Sequence, residues 1–264
     1  MSHSIQIHSK GNFGVKITSQ RMVGGLKPID VDGAEGRDYM KHIRATTTHP
    51  EETLDYNKWL PFAAKKYKIS SNIEDYVVVN TPMIPSDIPN RNGVAFPLYE
   101  LVKFREPPVN RLVYKAWTGC PTHEEHQADD PETALGIILD TSLVRIKNYG
   151  NGRHWMVMAL LAFDKTKAVD RVSRIQRGEV STYSMGATCQ YFTCGLSGVR
   201  LDDPRYSYRL KKSLEWDIVK DPLSNQESLL FRNAHELTPG ECSTVEDPAW
   251  VPAQSDFMYD LAQS

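Results

Sequence analysis

Two short stretches of this chain carry residue types that could do chemistry. The first is GCPTHEEHQADD at 119–130, which sets His123 and His126 among four carboxylates. A histidine in a polar loop has an unperturbed pKa of about 6.5 and is suited to general-base work near neutral pH. The same composition also fits a solvated acidic loop. A metal reading stands beside both. Cys120, His123 and His126 fall three residues apart, and Cys189 or Cys194 would complete a Cys2His2 tetrahedron around zinc. Against it, the C-x2-H-x2-H spacing is not a common structural zinc pattern, and Pro121 stiffens the loop directly after the first thiol.

The second stretch is RGEVSTYSMGA at 177–187, which offers Ser181 and Ser184. A serine nucleophile needs an exposed hydroxyl, a base within hydrogen-bond reach and backbone N–H groups to hold an oxyanion. Gly186 lets the backbone approach a substrate carbonyl closely. Serines packed at a strand end would give the same pattern. Cys189 and Cys194 are the alternative nucleophiles, but neither lies in a known local signature.

The flanking sequence must position these loops, and it predicts mostly strands. YVVVN (76–80) is a β-branched run followed by a Pro-rich connection, 81–93. RLVYKAW (111–117), ALGIILDTSLVRI (134–146) and HWMVMALLAF (154–163) read as strands, the last two joined through the Asn-Gly turn of NYGNG. STYSMGATCQYFTC (181–194) reads as a strand or strand–loop, and ECSTVED (241–247) as a late strand ended by Pro248. Helices are expected at 55–69, at 96–104 with Pro97 at a first helical position, and at 168–180 with Gly178 near its end. Residues 1–75 read as a peripheral layer or arm, 76–255 as the main domain and 256–264 as a tail. The fold class is a β-rich α+β domain, nearer a barrel than an alternating parallel sheet, with no Gly-rich nucleotide-binding turn.

Composition excludes several classes. With 31 Lys+Arg against 33 Asp+Glu the net charge is −2, and no basic run makes a local case for nucleic acid. The longest apolar run, Trp155–Phe163, is too short to span a bilayer, and the N-terminal MSHSIQIHSKGNF lacks the apolar centre of an export signal. Four cysteines suit a reducing compartment as free thiols.

Read together, NRNGVAFPLYEL (90–101), VYKAWTGCPTHEEH (113–126), ALGIILD (134–140), MVMALLAFDKTK (156–167), GEVSTYSMGA (178–187) and ECSTVEDPAWVPA (241–253) resemble the maturation proteases of tailed-phage proheads in order and spacing. Those enzymes are distantly similar to the herpesvirus assemblin proteases. The resemblance spans 76–253 and implies a herpesvirus-protease-like β-barrel surrounded by a few helices. It makes His126 the base, since Glu-His-Gln leads toward Ala-Leu-Gly136, with His123 as runner-up. It makes Ser184 the nucleophile ahead of Ser181. The third member is implied to be a carboxylate, either Glu241, which alternation places on one strand face with Ser243, or Asp164 of the FDKTK motif; Glu241 is preferred. One departure is Ser197, where many relatives carry a second cysteine after the one matching Cys194. The implied activity is that of a serine endopeptidase needing no cofactor or metal. It would cleave scaffold or core proteins, the major capsid protein precursor and itself, inside an immature capsid assembled in the host cytoplasm. Neither nucleic acid nor membrane is an expected partner, and a homo-oligomer is compatible with this setting. The competing expectations are a non-catalytic capsid or scaffold component that keeps the fold, and a zinc-binding hydrolase or module built on Cys120, His123 and His126.

Overall fold

The computed structural model describes residues 56–106, 111–146, 154–203, 218–220, 227–250 and 257–260. Three α-helices occur among them: α1 (Tyr56–Tyr67), α2 (Leu98–Leu101) and α3 (Val169–Gln176). The strands in chain order are β1 (Tyr76–Pro85), β2 (Val94–Ala95), β3 (Phe104–Arg105), β4 (Arg111–Leu112), β5 (Pro121–Thr122), β6 (Gly136–Arg145) and β7 (Trp155–Asp164). They continue with β8 (Tyr183–Thr188), β9 (Tyr191–Cys194), β10 (Ile218–Lys220), β11 (Glu227–Leu229), β12 (Arg232–His235), β13 (Thr238–Thr244) and β14 (Phe257–Asp260). The class is β-rich α+β, as expected.

The largest sheet has the order β14-β1-β7-β6-β5 and curls into half a barrel that does not close. Its central strands β1 and β7 are buried on both faces, so their sequences run apolar without alternation. Val77, Val79, Ile138, Leu161 and Phe163 face one core, which also holds Trp117, Val172, Ile175, Tyr183 and Cys242. Tyr76, Val78, Ile137, Leu139 and Ala162 face the other, which α1 covers with Leu60, Ala63, Ala64 and Tyr67. So residues 56–69, set apart in the sequence, form a helical layer on the sheet.

Several elements differ from the sequence expectation, each for a physical reason. β1 runs on to Pro85 instead of stopping at Asn80. β14 pairs only with Val77–Asn80, so from Thr81 onward β1 lacks a described partner on that side and tolerates Pro82 and Pro85, with a register shift between Pro82 and Ile84. Arg111–Trp117 is not a strand beyond Leu112. Val113–Trp117 form a 3-10 helix whose Val113, Tyr114 and Trp117 are buried, a helical spacing in a β-prone composition. At Pro97 the expected helix begins as a cap, and only Leu98–Leu101 are helical. Phe257–Asp260, which the sequence places in a tail, add antiparallel to β1 as an edge strand. The Asn-Gly turn lies outside the described residues, while the strands it would join, β6 and β7, do pair antiparallel.

Candidate functional site

The site is built on the two-stranded β8–β13 ribbon. Its antiparallel register pairs Gly186 with Glu241, Met185 with Cys242, Ser184 with Ser243 and Tyr183 with Thr244. Paired residues share a face and faces alternate along a strand. Tyr183 and Cys242 are in the main core, and Tyr183 meets Phe163 of β7 with ring centroids 6.3 Å apart. That anchors the ribbon on the half-barrel and turns Ser184, Gly186, Glu241 and Ser243 to the opposite face. Ser184 is half-buried there.

The loop after β5 runs alongside β13. Glu124 bridges Thr244 in parallel; the Thr244 N–H donates to the His123 carbonyl at 3.0 Å, and the Glu125 N–H to the Thr244 carbonyl at 2.9 Å. The Glu125 carboxylate accepts the Glu246 N–H at 2.9 Å, and Arg171 of α3 ion-pairs with Glu124. Glu125 and His126 both adopt left-handed backbone, φ 48° and 58°. Such a conformation is costly for non-glycine residues and persists only where the surroundings fix it. Here it points the His126 ring at β13.

His126 Nδ1 lies 2.7 Å from Glu241 Oε1, and Ser243 Oγ donates to Oε2 of the same carboxylate. The imidazole is 43% exposed while the Glu241 side chain is 6% exposed, so one end of the pair meets solvent and the other is enclosed. With Glu241 ionised, Nδ1 carries the proton and Nε2 is left as the basic nitrogen. The Glu241 hydrogen bond raises the His126 pKa above its ordinary value, with burial opposing. Gly186 is required beneath the carboxylate, because a Cβ there would lie 2.1 Å from Glu241 Oε1.

The remaining candidates are placed differently. His123 is buried, with Nδ1 3.1 Å from Thr133 Oγ1, and burial lowers its pKa. Its Nε2 has no partner among the described residues. Ser181 precedes β8 and lies off the strand. Asp164, at the end of β7, accepts from the Ser70, Thr166 and Lys167 N–H groups and from the Thr166 hydroxyl. It ties the turn before α3 to the segment after α1 and bonds no histidine among the described residues. Cys120, His123 and His126 do not converge: the Cys120 thiol faces the Ala116 carbonyl at 3.5 Å, and burial pushes its pKa up to about 11. Among the described residues no three His, Cys, Asp or Glu side chains are grouped to hold a metal ion. All four cysteines are free, and burial raises the Cys189 and Cys242 thiols as well.

Sequence reasoning missed the Ser243–Glu241 bond, although alternation already put both residues on one face. Chemically, the arrangement is a carboxylate-oriented imidazole on the strand face that also presents Ser184, and among the described residues no hydrogen bond joins Ser184 to His126. Such contacts commonly tighten only when substrate is bound. No protein-family model, curated protein or solved structure matches the chain.

Proposed function

We propose that the protein is a serine endopeptidase of the prohead-maturation type, with Ser184 as nucleophile, His126 as base and Glu241 as the carboxylate that orients it. The observation that carries this reading is the His126–Glu241 contact on the strand face that also presents Ser184. His126 Nε2 takes the Ser184 proton as Oγ attacks a peptide carbonyl carbon. The same proton then passes to the leaving amine as the C–N bond breaks, and water, deprotonated by His126, releases the acyl group. Glu241 favours the Nδ1–H tautomer and stabilises the imidazolium that forms. The substrates are scaffold or core proteins, the capsid protein precursor and the chain itself, met at high local concentration inside a closed shell in the host cytoplasm. On this reading the curled sheet corresponds to a herpesvirus-protease-like barrel left open among the described residues.

The test is intact mass followed over hours for the wild type and Ser184→Ala, each with and without a chelator, alongside cleavage of a co-expressed core or capsid precursor. Trimming or precursor cleavage that stops in Ser184→Ala and ignores the chelator is the expected result. Identical masses and uncut precursor in both chains would favour a non-catalytic capsid component. Cleavage abolished by the chelator would favour the zinc reading instead.

A further inference from the structure

We infer that Ser243 is a positioning residue, holding one oxygen of Glu241 so that the other serves His126 and neither captures the Ser184 hydroxyl. This rests on the proposed proteolytic role of that site. Ser243 is fully buried, and a buried hydroxyl must find an acceptor. It finds Glu241 Oε2, while Oε1 accepts from His126 Nδ1 at 2.7 Å. The backbone at Gly186 closes the underside of the carboxylate, since even a methyl group there would overlap Oε1. Glu241 is thus boxed on three sides, by a hydroxyl, an imidazole and a backbone, each from a different point of the chain.

Ser184 makes this box consequential. It is the cross-strand partner of Ser243, and directly opposed side chains in an antiparallel pair have Cβ atoms about 4.5–5.5 Å apart. A carboxylate oxygen released from Ser243 would come within reach of the Ser184 hydroxyl. An ionised carboxylate is a stronger hydrogen-bond acceptor than a neutral imidazole. Ser184 bound to it would point its proton away from His126 Nε2, and the nucleophile would be idle. Ser243 satisfies that oxygen and, on the proposed reading, leaves Nε2 to accept the Ser184 proton.

The readout is the His126 titration, followed by NMR of its ring C–H in the full chain carrying Ser184→Ala, with and without Ser243→Ala. The other charged group acting on the ring is Glu125 beside it in the loop; it, the Glu124–Arg171 pair and Glu246 along the same loop are left unaltered. Loss of Ser243 lets Glu241 turn from His126, so the His126 titration moves down toward ordinary histidine. Ser243→Thr keeps the hydroxyl and keeps the wild-type titration. In the chain with Ser184 intact, Ser243→Ala lowers kcat about tenfold with KM little changed, as expected for a group acting only on the catalytic machinery. An unmoved His126 titration in a folded Ser243→Ala chain overturns the assignment. Because that titration is read without the nucleophile, it stands apart from the protease reading. A chain that cleaves nothing, yet whose His126 responds to Ser243, keeps the positioning role and loses only the reaction.

Discussion

At the level of single residues, His126 is set by two opposing influences. Its contact with Glu241 favours the charged imidazolium, and partial burial disfavours it; the contact wins and the pKa is raised. The sign has a kinetic consequence. A base must be neutral to accept a proton, so the acid limb of kcat/KM is expected to lie above an ordinary histidine pKa, with activity lost as pH falls through it. Glu241→Gln removes the anion. The limb should then shift to lower pH while the plateau falls at least about a hundredfold, because the favoured tautomer is lost. A pH profile of peptide cleavage checks both, and a limb unmoved by Glu241→Gln would dissociate the pair from the chemistry. The stability linkage has the opposite sense: a raised folded-state pKa contributes stability that is present at low pH and disappears as pH rises through that value. The resemblance, and not the residue pattern, points to Glu241; strand alternation adds only that it shares a face with Ser243. Asp164 was the rival because a carboxylate beside a helix start looks the same whether it orients a histidine or accepts backbone N–H groups. The fold gives Asp164 the Ser70, Thr166 and Lys167 donors and gives Glu241 the His126 contact.

Among the elements, two glycines are under different constraints and predict different phenotypes. At Gly136 in β6 an added Cβ would lie 1.8 Å from the Ala162 carbonyl oxygen, a backbone atom of the neighbouring strand. The strands cannot move apart locally without losing their ladder, so Gly136→Ala is expected to cost more than about 3 kcal/mol or to prevent folding. At Gly186 the obstruction is Glu241 Oε1, the far end of a flexible side chain. Gly186→Ala should therefore fold with a near-wild-type melting curve while its carboxylate is displaced from His126 and kcat falls by at least about tenfold. Thermal unfolding beside peptide cleavage separates the two; equal destabilisation by both would contradict the assignment. The strands themselves were legible where β-branched residues run together, as in Tyr76–Asn80 and Gly136–Arg145. Arg111–Trp117 carries conflicting signals: its aromatic and β-branched content favours a strand, while its buried apolar spacing at 113, 114 and 117 is helical, and the helical spacing prevails. The continuation of β1 through two prolines is not legible in the segment because it depends on how its neighbours pair, a property of the sheet.

Across the whole molecule, one curled sheet separates two cores, and the candidate site depends chiefly on one of them. The β8–β13 ribbon rests through Tyr183 and Cys242 on the core of Trp117, Leu161 and Phe163. Helix α1 closes the other, where Leu60 is 2% exposed against residues of β1, β6 and β7. The sequence shows residues 1–75 only as a layer or arm, because an amphipathic helix does not announce which face it will cover. The structure makes 56–69 part of the folded body, so truncating its anchor should be felt globally. Leu60→Ala removes several buried methyl groups and is expected to destabilise by about 2–4 kcal/mol, lowering Tm by about 5–15 °C for a domain of this size. A path leads from α1 to the site: the helix packs against Pro131–Thr133, and Thr133 Oγ1 contacts His123 Nδ1 and donates to the Gln127 carbonyl next to His126. His126 is held from the other side as well, by Glu125 on Thr244 and Glu246. In the folded variant at 25 °C, kcat/KM should accordingly stay within about threefold of wild type, since the loop keeps its contacts with β13 and Leu60 touches the site only through Thr133. Thermal melts and peptide cleavage on the same preparation test this. An unchanged Tm would mean that α1 is not integral to the second core, and a large loss of kcat/KM in a folded chain would mean that the Thr133–His123 path carries more of the site's geometry than the loop's contacts with β13.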